Sequence, residues 1–578
     1  MQTFYPGVYF KEVEFGGGVR PVTGIDMSIG AIVGYFQKGP IGVATKVTAA
    51  TYQDIFGGPI ADAYGWYALD GFFKNNPNGS VYVVRTVHYT DITDPTSDVS
   101  KSSKVTLKDR FSVPASTLKI TAKTSGAWGD DLSVGIRDGY LVNTATTAII
   151  ASKGSTAKLK SVNNIKVGAK LLLDDILITV ATVDPIAREI TFTPALGEND
   201  ELAIGTTLHS FEFDLLVYNK DTLVETFANL SIENTHDRYV ETIINDENSG
   251  SAFITVDEIG SESAFPKNVP GLTASTKLTG GNDGLTGVGD TDIIGNKGAK
   301  TGIYALDLVQ ESFNLFCPES CSEDVTRAIY QYCEGRMDAF GIGSVPESYD
   351  STMALQYRLE TGNFNTSYGA LYYGWGYVSD PIGIGSNPQK LVPLVGHIAG
   401  YYGRNDRVND LGQVPAGEGA VLFGVNKLEF NIDDITNGDL NKVNVNCIRS
   451  LSGAGIVIWG ARTLSADSQW RYINARRIFI YVEKSVALGT RWAVFKPSNT
   501  STWKSIKRTV ESFLNNVPGL FGDSASDRYV VICDETTNPE SIRKAGQIVC
   551  KIGLAIESVG EFVIFEIGQM SEGVSITE

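Results

Sequence analysis

Trp459-Gly460-Ala461-Arg462-Thr463-Leu464, followed by Trp470-Arg471-Tyr472-Ile473-Asn474-Ala475-Arg476-Arg477, opens the most regular region of the chain. Tyr472, Ala475, Phe479, Val482 and Val486 recur at helical spacing. Trp503, Ile506, Val510, Phe513 and Val517 repeat the pattern until Pro518-Gly519 stops it. Strand-like stretches follow at Val530-Val531-Ile532, Gln547 to Ile556 and Glu561 to Ile567. Two amphipathic helices on a small sheet make an α+β unit, spanning about 436–578.

Working outward, strands and helices alternate over about 281–435, with a helix expected from Ser322 to Arg336 and an apolar run at Leu391-Val392-Pro393-Leu394-Val395. Residues 26–90 have the same texture. Ala31-Ile32-Val33-Gly34 and Ser80-Val81-Tyr82-Val83-Val84 read as buried strands, with a helical stretch around Ala63 to Phe73. Between them, 91–280 is rich in Thr, Ser, Asp and Lys and reads as a β-rich insertion. A small β module is expected within it at about 150–212, carrying Lys166 to Leu173 and Glu189 to Thr193. The chain is thus a multidomain protein of mixed α+β and α/β class.

At the other end, Val8-Tyr9-Phe10-Lys11-Glu12-Val13-Glu14-Phe15 is an extended stretch followed by Gly16-Gly17-Gly18. A strand on a glycine hinge is free to leave its own domain and add to a neighbour's sheet edge. It can equally be a first strand tucked into its own sheet. Residues 1–25 form this arm.

The 578 residues carry 42% apolar and 20% charged side chains, a soluble globular balance, and the length suggests three or four domains. A net charge of −18 argues against a nucleic-acid binder, which needs a basic footprint. The segment Met1 to Phe10 has neither a basic start nor an unbroken apolar stretch, so no secretory leader is expected. Apolar runs such as Phe562-Val563-Ile564-Phe565 are too short for a bilayer, and folding in a cytoplasm is expected. Cys317, Cys321, Cys333, Cys447, Cys533 and Cys550 are no disulfide framework and read as reduced thiols. Cys317, Cys321 and Cys333 lack a fourth ligand at zinc spacing, so no metal is expected.

No catalytic constellation emerges. Of the four histidines, His88, His209, His236 and His397, only His397 sits in a suggestive context, and no Gly-x-Ser-x-Gly turn accompanies it. Leu278-Thr279-Gly280-Gly281-Asn282-Asp283-Gly284 lacks the Gly-Lys-Ser/Thr ending of a phosphate loop and reads as turn chemistry. Asp433-Asp434 has no matched acidic pair. Neither an enzyme nor a cofactor is expected. One charge feature does stand out: eleven basic residues lie between Arg449 and Arg508, opposed only by Asp467 and Glu483. This island is either a solvated surface or a docking face for an acidic partner. Lys504, Lys507 and Arg508, on the first turns of the second helix, are expected to point outward.

Taken in order, these residues resemble the contractile tail sheath family of myovirus-type phages. The likeness runs through Tyr5-Pro6-Gly7-Val8-Tyr9, Gly39-Pro40, Phe56-Gly57, Gly126-Ala127-Trp128-Gly129-Asp130 and the Leu278–Gly284 loop. It continues through Tyr332-Cys333-Glu334, Pro393-x-x-Gly396-His397-Ile398-Ala399-Gly400, Val414-Pro415-Ala416-Gly417, Asn444-Val445-Asn446 and Asn538-Pro539. It is most specific from Trp459 to Arg477 and weakest between about 135 and 275.

The resemblance implies a subtilisin-like α/β middle domain without protease chemistry, an outward-facing insertion, and exchanged β-arms. It implies stacked hexameric rings around a tail tube, bounded by baseplate and tail terminator proteins, whose contraction drives the tube through a host envelope to deliver a genome. The subunit would assemble in the host cytoplasm and reside in the virion, with no nucleic-acid partner and no membrane insertion. The exchanged arms would use Val8, Tyr9, Phe10, Val13 and Phe15, hinged at Gly16, Gly17 and Gly18, together with Phe562 and Ile564 in a terminal arm at about 548–578. Lys504, Lys507 and Arg508 would face the tube. The sheath of a contractile injection system or a tail-like bacteriocin shares this pattern.

Overall fold

Gly30-Ala31-Ile32-Val33-Gly34 is apolar without alternation, the pattern of a strand covered on both faces, and all five residues are buried. In the computed structural model, which describes residues 22–260 and 265–563, this strand (β1, Gly30–Gly34) lies inside an eight-stranded sheet. The other members are β2 (Thr45–Thr48), β3 (Ser80–Arg85), β4 (Phe313–Phe316), β5 (Ala339–Ser344), β6 (Gly369–Tyr373), β7 (Val445–Leu451) and β8 (Gly455–Trp459). Their spatial order is β2-β3-β1-β4-β5-β6-β7-β8. From β3 to β7 all neighbours are parallel, and an antiparallel strand closes each edge.

Helices cover both faces. The alternation of β5 separates them: Gly341 and Gly343 lie under Tyr330 of α2 (Glu323–Arg336), whereas Phe340 meets Tyr402 of α3 (Val395–Val408). The expected helix near Ala63 to Phe73 is α1 (Gly65–Asn75), packed across α3. That crossing is close because α3 presents glycines to it. A Cβ on Gly396 or Gly400 would stand 2.2 and 2.4 Å from the carbonyl oxygens of Ala68 and Phe72. The Gly396-His397-Ile398-Ala399-Gly400 run is therefore a helix-contact signature. Of the apolar run at 391–395, Leu391 to Pro393 end a strand, Gln389–Pro393, and Val395 opens α3.

The 91–280 region contains three antiparallel sheets. One uses Lys104–Lys108, Ser116–Ala122 and Ile254–Glu258; a second uses Leu132–Asp138, Phe213–Asn219, Thr222–Leu230 and Thr273–Lys277. These two share a core around Leu118, Ile120, Val134 and Leu215. The third, six-stranded sheet has a separate core around Leu173, Ile178 and Phe192. It begins at Asn143–Ala145, earlier than the expected 150, because that strand pairs with Thr207–His209. The chain enters and leaves it where Asp138 and Phe213 are directly opposed, and Lys166 ties it back to Asp237 at 2.7 Å.

The chain then returns through α4 (Ile473–Gly489), α5 (Thr500–Leu514) and a hairpin of β9 (Tyr529–Ile532) and β10 (Lys551–Leu554). The sheet extends past residue 435, where the sequence reading sets a boundary: β7 and β8 lie beyond it, and parallel pairing of β7 with β6 attaches them. Residues 561–563 are not a strand. Among the described residues no helix is long and apolar enough to cross a membrane.

Candidate functional site

The residues from Trp459 to Arg477 join three parts of the molecule. Asn446 of β7, fully buried, accepts from the Arg462 amide at 2.7 Å and donates to its carbonyl at 2.8 Å. Thr463 donates to the Trp470 carbonyl at 2.6 Å, closing the loop between β8 and α4. The Arg476 guanidinium is stacked between Trp470 and Tyr368, at 3.7 and 4.2 Å from their ring centres. Arg477 reaches across to Asp406 of α3 and to the Met27 carbonyl at 3.1 Å.

The basic island therefore divides. Arg449 pairs with Asp434 at 2.7 Å, Arg462 with Glu561, and Lys484 with Asp338 at 2.5 Å, while Arg476 and Arg477 are buried. These five are spent inside the subunit, a correction to the island as one continuous surface. Arg471, Arg491, Lys496, Lys504 and Arg508 are exposed. On α5 the Asn499 side chain caps the first turn, accepting from Thr502 N at 3.0 Å. Trp503, Ile506, Val510 and Phe513 are buried, so Lys504 and Arg508 stand on the outer face beside half-buried Lys507. Lys507 lies 3.8 Å from Glu511.

Glu561 was not singled out by sequence, and it fixes the last described segment. Its carboxylate accepts from Arg462 at 3.0 and 2.7 Å, Asn441 at 2.7 Å and Tyr472 at 2.8 Å. Burial pushes this carboxyl up, but the three donors outweigh it and hold the group below the usual glutamate range. The only advance signal was the position of these donors within the 441–472 stretch. Just beyond, Phe562 is 73% and Val563 74% exposed.

Beside the hairpin, a cleft of about 620 Å³ lies among α4, α5 and the 543–552 segment, lined by Val486, Phe495, Ile506, Val510, Arg543 and Cys550. Phe495 at its mouth is fully exposed. Among the described residues β9 and β10 pair only with each other, so both outer edges of the hairpin are open. Open edges beside exposed aromatic and branched side chains (Val530 is 53% exposed) form a template for added strands. Of the expected arm and hinge residues, Val8, Tyr9, Phe10, Val13, Phe15, Gly16, Gly17, Gly18 and Ile564 lie outside the described residues.

The other candidates take structural roles. His397 is buried against Gly71 of α1, and burial, reinforced by Lys74, lowers its pKa to about 3, so it stays neutral. In the 278–284 loop, Asn282 accepts from Gly284 N at 2.7 Å, and Asp283 accepts from Ala127 N at 2.8 Å. Asp130 accepts from Gly281 N at 3.0 Å, so this loop and the Gly126–Asp130 turn clasp each other at the root of the insertion. Asp433 caps the helix Asp434–Lys442. Cys317, Cys321 and Cys333 are buried, and among the described residues no three metal-binding side chains converge.

The order in which strands are added reverses between β1 and β4, the place where open α/β folds hold ligands. Here the protein's own Glu319 occupies it, accepting from Tyr35 N at 3.0 Å and Tyr64 N at 2.9 Å at the start of α1. Burial raises its pKa to about 7.

The phage tail sheath C-terminal domain family matches residues 465–569, which span α4, α5 and the hairpin. The chain carries a phage tail sheath C-terminal domain. Among curated relatives, it is 28% identical over 192 residues to the tail sheath protein of Vibrio phage KVP40, covering 33% of this chain and 28% of that protein. It is 27% identical over 201 residues to the tail sheath protein of Enterobacteria phage T4, covering 34% and 29%. The alignments thus span under a third of either relative. Over nearly the full chain, the fold is similar to the helical sheath of the anti-feeding prophage in its contracted state, with a TM-score of 0.52, 16% identity, and 98% and 100% of the two chains covered. The basic face of α5, the hairpin with its open edges and Glu561 lie within the matched residues, whereas the Asn441 and Arg462 partners of Glu561 lie before them.

Proposed function

We propose that the chain is the structural subunit of a contractile tail sheath. Copies stack as hexameric rings around a tail tube, between a baseplate and a terminator, in a virion assembled in the host cytoplasm. The observation that carries this reading is the sheath domain with a two-stranded hairpin open on both edges. An N-terminal arm (1–25, with Val8, Tyr9, Phe10, Val13 and Phe15 on the Gly16–Gly18 hinge) and the end of the terminal arm beyond Glu561, including Phe562 and Ile564, add strands to the hairpins of neighbouring copies, while Lys551–Leu554 of the expected 548–578 arm stays in its own hairpin as β10. Main-chain bonds of that kind survive rigid-body movement of the domains they join.

Contraction then requires two packings of one sequence, with the extended state metastable. A gap of a few kcal/mol per subunit, summed over many copies, drives the tube through the host envelope without a nucleotide or cofactor. Lys504, Lys507 and Arg508 face the tube and hold the extended state, while the 91–280 insertion faces outward.

Negative-stain microscopy of the purified, overexpressed chain tests the reading. Long hollow tubes with regular cross-striations are expected. Monomers that persist even when the neighbouring tube gene is co-expressed would overturn it.

A further inference from the structure

The hairpin of the sheath domain carries two cysteines at its inner end. Strands β9 and β10 pair Ile532 with Lys551, so the next position of the ladder sets Cys533 opposite Cys550. Directly opposed side chains in an antiparallel pair stand on one face, with Cβ atoms about 4.5–5.5 Å apart.

Alternation fixes which face. Val531 is buried opposite Ile552, and Cys533 and Cys550 lie two residues along each strand, on the same inward side. Asn538 holds the register past the last ladder pair: it accepts from Val549 N at 2.7 Å and donates to the Val549 carbonyl at 2.9 Å. The two thiols face each other closely enough to shift each other's protonation.

Access and reactivity are split between the partners. Cys533 is 2% exposed, whereas Cys550 is half-buried and lines the cleft beside α5. The facing Cys550 thiol lowers the pKa of Cys533 against its burial, and the Lys507 ammonium favours the thiolate further. Cys317, Cys321, Cys333 and Cys447 are buried, and burial holds each of those thiols protonated.

We propose that Cys533 and Cys550 form an oxidative modification site, a cross-strand pair that a small peroxide converts to a disulfide. The Cys533 thiolate attacks one peroxide oxygen, the O–O bond breaks, and hydroxide leaves a sulfenic acid on Cys533. The Cys550 sulfur then attacks the Cys533 sulfur, and the sulfenic oxygen departs as water with the Cys550 proton. The first hydroxide takes the proton originally lost by Cys533. Two thiols and one peroxide thus give one disulfide and two waters. The cross-link encircles the helix Glu540–Lys544 and pins β9 to β10 once the chain leaves a reducing compartment. It needs only the fold of the subunit, so it stands apart from the assembly reading.

The test treats the full chain with hydrogen peroxide, alkylates it under denaturing conditions and maps the peptides by mass spectrometry. The free-thiol count should fall by two from the six present, with one linked pair joining Cys533 and Cys550 that dithiothreitol reverses. The oxidised chain should melt roughly 5 °C higher, as expected for a short closed loop, and neither Cys550→Ser nor Cys533→Ser should show the link or the rise. Both cysteines remaining alkylated, linkage to any other partner, or sulfinic acid at Cys533 without linkage would overturn the proposal.

Discussion

Arg477 grips Asp406 with both arms of its guanidinium, at 2.7 and 2.5 Å, with the arginine side chain 1% exposed and the aspartate 10%. The pair ties α4 of the sheath domain to α3 of the α/β layer. Planar bidentate contact explains why arginine stands here: lysine offers a point charge in place of a fork. Removing one partner strands a buried charge. Arg477→Met is expected to cost about 3–5 kcal/mol, and Arg477→Met combined with Asp406→Leu should recover most of it. Urea unfolding of the three chains measures both.

The carboxylate of Glu561 holds the terminal segment against Arg462, Asn441 and Tyr472. Hydrogen bonds to a charged group contribute about 1.5–3 kcal/mol, so Glu561→Ala should open the segment roughly 10-fold or more often. Limited carboxypeptidase digestion reads this as faster trimming past residue 561. Because the folded pKa is depressed, the latch is intact above the unfolded glutamate pKa of about 4.3 and lost as pH falls through the lower folded value. Wild-type trimming should therefore accelerate below about pH 4.

Glu319 carries the opposite sign. Burial raises its pKa to about 7, so the folded chain holds a proton that the unfolded chain has released above about pH 4.3. Stability should decline as pH rises from that point to about 7, then level off. Glu319→Gln should flatten that slope in thermal melts between pH 5 and 8. An unchanged slope would remove Glu319 from the account.

Reversing the exposed charges of α5, as Lys504→Glu, Lys507→Glu and Arg508→Glu together, should leave folding unchanged, since the buried face of the helix is untouched. Sheath should then polymerise without tube, or tails should contract early, as counted by microscopy of assembled particles. Extended tails of normal number and unchanged salt sensitivity would show that these residues do not hold the extended state.

Much of α5 was legible because the helix is long and one-sided: the Trp503–Phe513 stripe appears in the structure as a buried face, whereas α4 buries Ile473 to Ile478 all round and leaves Phe479 and Val486 of its expected stripe half-buried. The helix expected from Ser322 to Arg336 is α2, with Ser322 standing just before it as the cap that accepts from Val325 N at 3.2 Å. The basic island misled because charge counted along the chain ignores partners distant in sequence. Asp406 lies 71 residues from Arg477, and Glu561 lies 99 residues from Arg462. Glu319 escaped notice for the same reason, since the amide of Tyr35 that it binds is 284 residues away. The β-rich region gave its class but not its division into three sheets, which depends on pairings such as Lys104–Lys108 with Ser116–Ala122 and Ser116–Ala122 with Ile254–Glu258.

The pairing of β1 with β4 has a bearing on how the chain reaches its native state. During synthesis β1, β2 and β3 emerge first, and the whole 91–280 region follows before β4 exists to cover the open side of β1. Closing a loop of that length carries its entropic penalty before the central parallel pairing can form. The inserted sheets, with cores of their own, can condense in the interval and draw the end of β3 at Arg85 and the start of β4 at Phe313 toward each other. On the ribosome they would serve as a splint, shortening the effective tether between two halves of one sheet.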